Sequence, residues 1–171
     1  DGPRHLDDWL EAVLLEPRGD VLVAGRAIVT GSSAEANVWK LDGLTGKVLW
    51  GPAVIPSLGP FSGPVLLRCD AEGNVFVLAT RDTPGRGRLS MTKLLSASGA
   101  PAWLPADPGV DSGVVEDAAV GPNGDVVVTT TYLGAAAVLA LAGWSGEVLW
   151  GPVREAAWAA PRALVVDARG R

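Results

Sequence analysis

An all-β fold follows from three features of the sequence: a phrase ending in tryptophan is written three times, a glycine-opened strand phrase precedes each copy, and glycine and proline interrupt the chain too often for long helices. The first phrase reads VWKLDGLTGKVLWGP from Val38 to Pro52, LLSASGAPAWLP from Leu94 to Pro105 and VLALAGWSGEVLWGP from Val138 to Pro152. Each copy sets a tryptophan four residues after a turn glycine: Gly46 and Trp50, Gly99 and Trp103, Gly146 and Trp150. The second phrase reads EPRGDVLVAG from Glu16, DAEGNVFVLA from Asp70 and GPNGDVVVTT from Gly121, with a stub, DARGR, from Asp167. Its glycines, Gly19, Gly73, Gly124 and Gly170, recur at roughly 50-residue intervals, the spacing of tandem units with a few strands each. Among 171 residues there are 22 Gly and 13 Pro, scattered throughout, which favours short strands joined by turns.

Each unit reads as four strands. In the first, repeat register sets Ala12 to Leu15 as a strand, followed by Val21 to Gly25, Val38 to Asp42 and Lys47 to Trp50. Leu6, Trp9, Leu10, Val13 and Leu14 also fall at helical spacing, with Asp7 or Asp8 as a cap and Pro17 as a stop. Alignment with Val65 and Ala163 in the later units outranks that local pattern. The second unit predicts strands at Val75 to Thr80, Leu89 to Ser96 and Ala100 to Leu104. The third predicts Glu116 to Val120, Asp125 to Thr131, Ala136 to Ala142 and Glu147 to Trp150. Ala163 to Asp167 opens a fourth unit, and the REAAWAA stretch from Arg154 carries the same helix-or-strand ambiguity. Turns such as Pro122, Asn123, Gly124 place Gly or Asn where positive φ is needed. Runs such as Val126, Val127, Val128 lack alternation, so both faces of these strands are expected to be covered.

A four-stranded meander with two apolar faces is not stable alone, and radial stacking covers each face with a neighbour. The expected architecture is a β-propeller segment of three complete four-stranded antiparallel blades, about 8–52, 61–105 and 113–152, and the start of a fourth at about 158–171. The recurring tryptophans then supply large apolar surfaces for blade-to-blade contact, each indole N–H within reach of a carbonyl. Gly19, Gly73, Gly124 and the glycines of the tryptophan phrase are structural positions in this reading.

The net charge of -5 and the absence of a basic stripe argue against nucleic acid as a partner. No apolar run approaches the roughly 18 residues of a membrane-spanning helix, and no signal peptide with a basic start and apolar core is present. Cys69, the only cysteine, sits in the apolar run after Val65, Leu66 and Leu67 and reads as a buried thiol. The terminal residues 167–171 stop inside a turn motif that elsewhere opens a strand, as in a segment cut from a longer array.

The tryptophan phrase resembles the β-propeller repeats of the quinoprotein-like superfamily, whose docking motif runs roughly A-x-D-x-x-T-G-K-x-x-W. Asp42, Thr45, Gly46, Lys47 and Trp50 match its D-x-x-T-G-K-x-x-W portion. The Gly-Asp or Gly-Asn strand openers are also similar to bacterial propeller repeats often found in secreted and surface proteins. In the third unit Ala142, Ser145 and Glu147 replace the Asp, Thr and Lys, while Gly146 and Trp150 persist; the second keeps little beyond Gly99 and Trp103. Keeping glycine and tryptophan while the polar positions drift is the signature of packing.

The resemblance raises quinone chemistry, in which a pyrroloquinoline quinone with calcium is held by carboxylates, amides and a vicinal disulfide. One cysteine provides no such pair, and no D-x-[DN]-x-[DN]-G loop occurs. No cofactor, metal or catalytic residue is therefore expected. His5 is the only histidine, which disfavours triads and imidazole metal sites. The adjacent acids Asp7 with Asp8 and Glu116 with Asp117 point to opposite faces of a strand. Arg18, Gly19, Asp20 spell an integrin-ligand tripeptide but align with the generic turn of the repeat. Binding is expected in the loops between second and third strands: Thr30 to Ser33, Arg81 to Arg88 with Arg81, Arg86 and Arg88, and the short one around Leu133 and Gly134.

These readings converge on a non-catalytic scaffold or binding module, part of a larger bacterial secreted or envelope protein, that presents loops to a protein or glycan. The alternatives are a fragment of a quinoprotein-like dehydrogenase and an outer-membrane-assembly scaffold of the same superfamily. Closed propellers have about 4 to 8 blades, so an isolated segment is expected to self-associate or to join the remaining blades of a parent chain.

Overall fold

The computed structural model describes residues 8–30, 33–55, 65–83, 86–103, 106–132, 135–155 and 163–167. Among them the chain is all-β, with no helix, and folds as three antiparallel sheets in chain order, none closed on itself. The first is the meander β1 (Asp8–Leu15), β2 (Val21–Thr30), β3 (Ser33–Leu41), β4 (Val48–Ile55). The second contains β5 (Leu66–Cys69), β6 (Val75–Thr83) and β7 (Arg86–Leu94). The third runs β8 (Val114–Val120), β9 (Val126–Tyr132), β10 (Ala135–Leu141), β11 (Val148–Glu155).

The strand β1 settles the competition at the start of the chain. Its helical spacing is overridden because Leu10 to Leu15 pair with β2 from Gly25 to Val21, and a ladder satisfies every second backbone group while presenting Ala12 and Leu14 to the core. The turns between first and second strands use Gly19, Gly73 and Gly124 at φ +92, +83 and +83, a left-handed region that disfavours any side chain.

Two apolar cores lie between successive sheets. Leu22, Ala24, Ala36 and Val38 of the first sheet meet Val75, Val77 and Leu94 of the second. Phe76, Leu78 and Met91, on the other face of the second sheet, meet Val126, Val128 and Leu139 of the third. The alternation along β6 explains both contacts: Val75 and Val77 point one way, Phe76 and Leu78 the other, and all four are buried. Each such side chain contributes about 1.5–3 kcal/mol on burial, so neither face of the second sheet can be left open.

Three expectations are corrected. The fourth strand of the second unit, at Ala100 to Leu104, forms no ladder among the described residues; only isolated bridges join Leu94 to Pro101, Met91 to Ala106 and Arg88 to Asp111. Pro101 and Pro108 bring no N–H to this segment, which runs beside β7 through scattered bonds such as Ala102 N–H to the Lys93 carbonyl. This unit is therefore three-stranded, not a complete four-stranded one. Residues 163–167 likewise form no ladder with the described residues. The loops between second and third strands are shorter than expected, because β2 reaches Thr30 while β3 starts at Ser33, and β6 reaches Thr83 while β7 starts at Arg86. Gly31, Ser32, Leu133, Gly134, His5, Asp7, Gly170 and most of the REAAWAA stretch lie outside the described residues.

Candidate functional site

Two of the recurring tryptophans, Trp50 and Trp103, lie at the seams between sheets, and each uses the glycine of the following unit. Gly99, at φ +69, faces the Trp50 ring so closely that a Cβ there would sit 2.5 Å from Trp50 Cε3. The Trp50 indole N–H donates to the Ser96 carbonyl at 2.9 Å. In the same way a Cβ on Gly146 would lie 3.1 Å from Trp103 Cη2 and 2.5 Å from the Ala106 Cβ. Trp103 packs against the second core, but its indole N–H finds no acceptor among the described residues. Trp150 is the third of the series and is 48% exposed. Gly46, the remaining glycine of the phrase, is different: a Cβ there would meet no described atom within 4 Å.

Beside the first tryptophan sits a buried charge cluster that sequence reading missed. The Lys40 ammonium donates to Glu16 Oε2 at 2.8 Å, lies 3.2 Å from Asp20 Oδ2 and reaches Ser96 Oγ across the seam at 3.1 Å. The Lys40 and Glu16 side chains are 7% and 0% exposed. Removing charges this far from water is costly unless each partner is held, as here, by several polar contacts. Glu16 Oε1 lacks a donor among the described residues. Asp20, the acid of the integrin-like tripeptide, is thereby spent on Lys40.

The second unit repeats the pair with Lys93 and Asp70, 2.9 Å apart, and the Lys93 ammonium also lies 4.9 Å from the Phe76 ring centroid. Burial pushes the Asp70 carboxyl upward, yet hydrogen bonds from Lys93 and Asn74 outweigh it and hold it below the ordinary carboxylate range. At the corresponding places the third unit has Ala140 and Gly121, so both charges are lost together. The signal was present in the aligned repeats: a lysine six residues before the glycine of the tryptophan phrase accompanies an acid three residues before the glycine of the strand-opening phrase. The short Asp42 turn is a separate device, in which the Thr45 hydroxyl and amide donate to Asp42 Oδ1 and hold that exposed carboxyl below its ordinary range.

The three arginines do not sit in a loop. Arg81 on β6 and Arg88 on β7 face each other across the ladder, and both donate to Asp107 Oδ2, at 2.6 and 3.0 Å. Arg86 pairs with Asp111 at 3.0 Å. These contacts tie the segment that lacks a ladder to β6 and β7. Of the adjacent acids, Glu116 accepts from the Thr131 hydroxyl, while Asp117 accepts from Arg68 of the second sheet and from the Leu164 N–H. Burial, followed by Glu16 and Asp70 nearby, raises the Cys69 thiol above its ordinary pKa, which leaves it a poor nucleophile. The described residues bring together no group of three His, Cys, Asp or Glu side chains fit to hold a metal ion.

A shallow cleft at each seam lies between the turns. One is lined by Arg18, Lys40, Trp50, Glu72 and Ser96, the other by Asp70, Lys93, Asn123, Asp125 and Trp144. No protein-family model matches the sequence, and no curated protein matches it.

Proposed function

We propose that this chain is a non-catalytic β-propeller segment, a scaffold whose stacked sheets hold short turns in fixed positions for a protein or glycan ligand, within an exported bacterial protein. The observation that carries the reading is the tryptophan of one sheet lying on the turn glycine of the next, twice in register. That arrangement is what a radial stack of meanders needs, since every sheet must cover its neighbour. Several charged side chains are engaged with one another: Lys40 with Glu16 and Asp20 in the first unit, Arg81 and Arg88 with Asp107 in the second, and Arg68 with Asp117 across the second seam. The residues present do not fit a pyrroloquinoline quinone with calcium, because the chain has one cysteine and no acidic cluster among the described residues.

The seam clefts are the surfaces best placed for a ligand, since they combine a partly exposed indole edge with charged and amide groups. A glycan and peptide array probed with the purified chain tests this reading. Binding that is lost on substituting Trp144 or Glu72, with no absorbance change on adding quinone and calcium, is the expected result. A chromophore shift with quinone and calcium would instead support the dehydrogenase reading.

A further inference from the structure

Both seams inside the chain obey one rule, and at the outer faces of the stack that rule leaves one unmatched partner of each kind. Trp150 on β11 has no glycine beneath it among the described residues and stands half-exposed beside Leu149 and Val153, themselves 50% and 54% exposed. No described atom lies within 4 Å of a Cβ on Gly46, where Gly99 carries the ring of Trp50 and Gly146 that of Trp103.

The sheet faces carry the same asymmetry. On the back of the third sheet Val126, Val128, Leu139 and Leu141 are fully buried against the second. Their counterparts in the first sheet, Val21, Val23, Trp39 and Leu41, are only half-buried. Leu15 and Val13 stand opposite Val21 and Val23 on that same face and are 67% and 70% exposed. An apolar row thus runs beside the Gly46 turn, exposed on β1 and partly covered on β2 and β3.

We propose that Trp150 of one copy of this chain docks on Gly46 of a second copy, so that the front of the third sheet covers the back of the first and copies associate head to tail. A second copy is the occupant because it presents the left-handed turn glycine that both internal seams use, the Gly43 carbonyl at the place of the Ser96 carbonyl that the first seam uses, and a matching row of apolar side chains. Residues 163–167 touch this face, with the Leu164 N–H on Asp117 and Val166 lining one cleft with Trp150. They form no ladder with the described residues, whereas β1 is paired along most of its length, and a docking copy has to displace them from the front of the third sheet. The interface is heterologous, which produces a ring if the rotation closes and a growing series if it does not. The docking rests on the stacked sheets and not on ligand binding; only closure at two copies rests on the propeller reading.

The test is sedimentation velocity on the whole chain between about 1 and 100 µM, with tryptophan fluorescence on the same samples. Association that grows with concentration and shifts the emission to the blue is expected. Trp150→Ala and Gly46→Asn, the latter tolerating the left-handed turn while filling the slot, should each weaken association at least about tenfold. Mixing the two variants should restore a one-to-one pair, since each keeps the half that the other lost. Thermal unfolding of each variant alone establishes that it folds. A species that stops at two copies supports docking and the propeller together, while an open series keeps the docking and removes the two-copy ring. A chain that stays monomeric throughout, association indifferent to both variants, or a mixture that does not restore pairing overturns the proposal. In the first of these cases the open faces belong to another occupant.

Discussion

The two seams do the same job with different wiring. Both bring a tryptophan onto a turn glycine, but at the first seam Trp50 is hydrogen-bonded to Ser96 and Lys40 crosses to the same serine. At the second, the Trp103 N–H has no acceptor among the described residues, and Lys93 pairs with Asp70 of its own sheet. Shape is the shared element, and polar contacts are the variable one. A ring on a bare peptide turn tolerates only glycine beneath it, whereas hydrogen bonds across a seam can be gained or lost with the side chains available.

Equivalent substitutions at the two seams should therefore carry unequal costs. Lys40→Met strands Glu16, which has almost no exposure, and removes the contacts to Asp20 and Ser96. Breaking a buried pair by removing one partner costs about 3–5 kcal/mol. Lys93→Met strands Asp70, which keeps its two bonds from Asn74, so its loss should be smaller by at least about 1 kcal/mol. Denaturant unfolding of both variants measures this, and equal losses would show that the contact across the first seam contributes nothing.

The next contrast tests shape itself. Gly99→Ala suffers the left-handed backbone, about 1–2 kcal/mol, and also drives its Cβ into the Trp50 ring, an overpacking cost of about 1–3 kcal/mol. Gly19→Ala suffers the backbone cost alone, because no described atom lies within 4 Å of its Cβ. Matching thermal shifts for the two would mean that the ring moves aside freely and that glycine at the seam answers only to φ.

Much of this architecture was legible because the repeat speaks in local terms. A glycine at positive φ, an apolar run and a tryptophan at fixed spacing are all short-range, and comparing copies separated register from noise. That comparison is why β1 reads as a strand despite the helical spacing of Leu6, Trp9 and Leu10. What escaped were pairings between copies. No single phrase shows that Trp50 meets Gly99 or that Lys40 reaches Ser96, since the partners lie in different units. The Lys40 and Glu16 pair was readable only as a joint loss at Ala140 and Gly121. Arg81, Arg86 and Arg88 were misplaced in a loop because their charge hid a ladder, and their partners Asp107 and Asp111 follow a segment whose prolines prevent the fourth strand that register predicts.

The finest contrast isolates one hydrogen bond. Trp50→Phe and Trp103→Phe remove similar ring area from similar seams, so the packing loss largely cancels between them. Only the first also removes a bond, that from the indole N–H to the Ser96 carbonyl, and a neutral bond of this kind contributes about 1 kcal/mol net. Trp50→Phe should therefore lower stability by about that much more than Trp103→Phe, read as a difference in denaturation midpoint with unchanged slope. The Trp103 variant also relieves a buried donor that has no partner among the described residues, which widens the gap in the same direction. A reversed order would place the weight of the array on the second seam, and would make the polar wiring of the first a consequence of its packing.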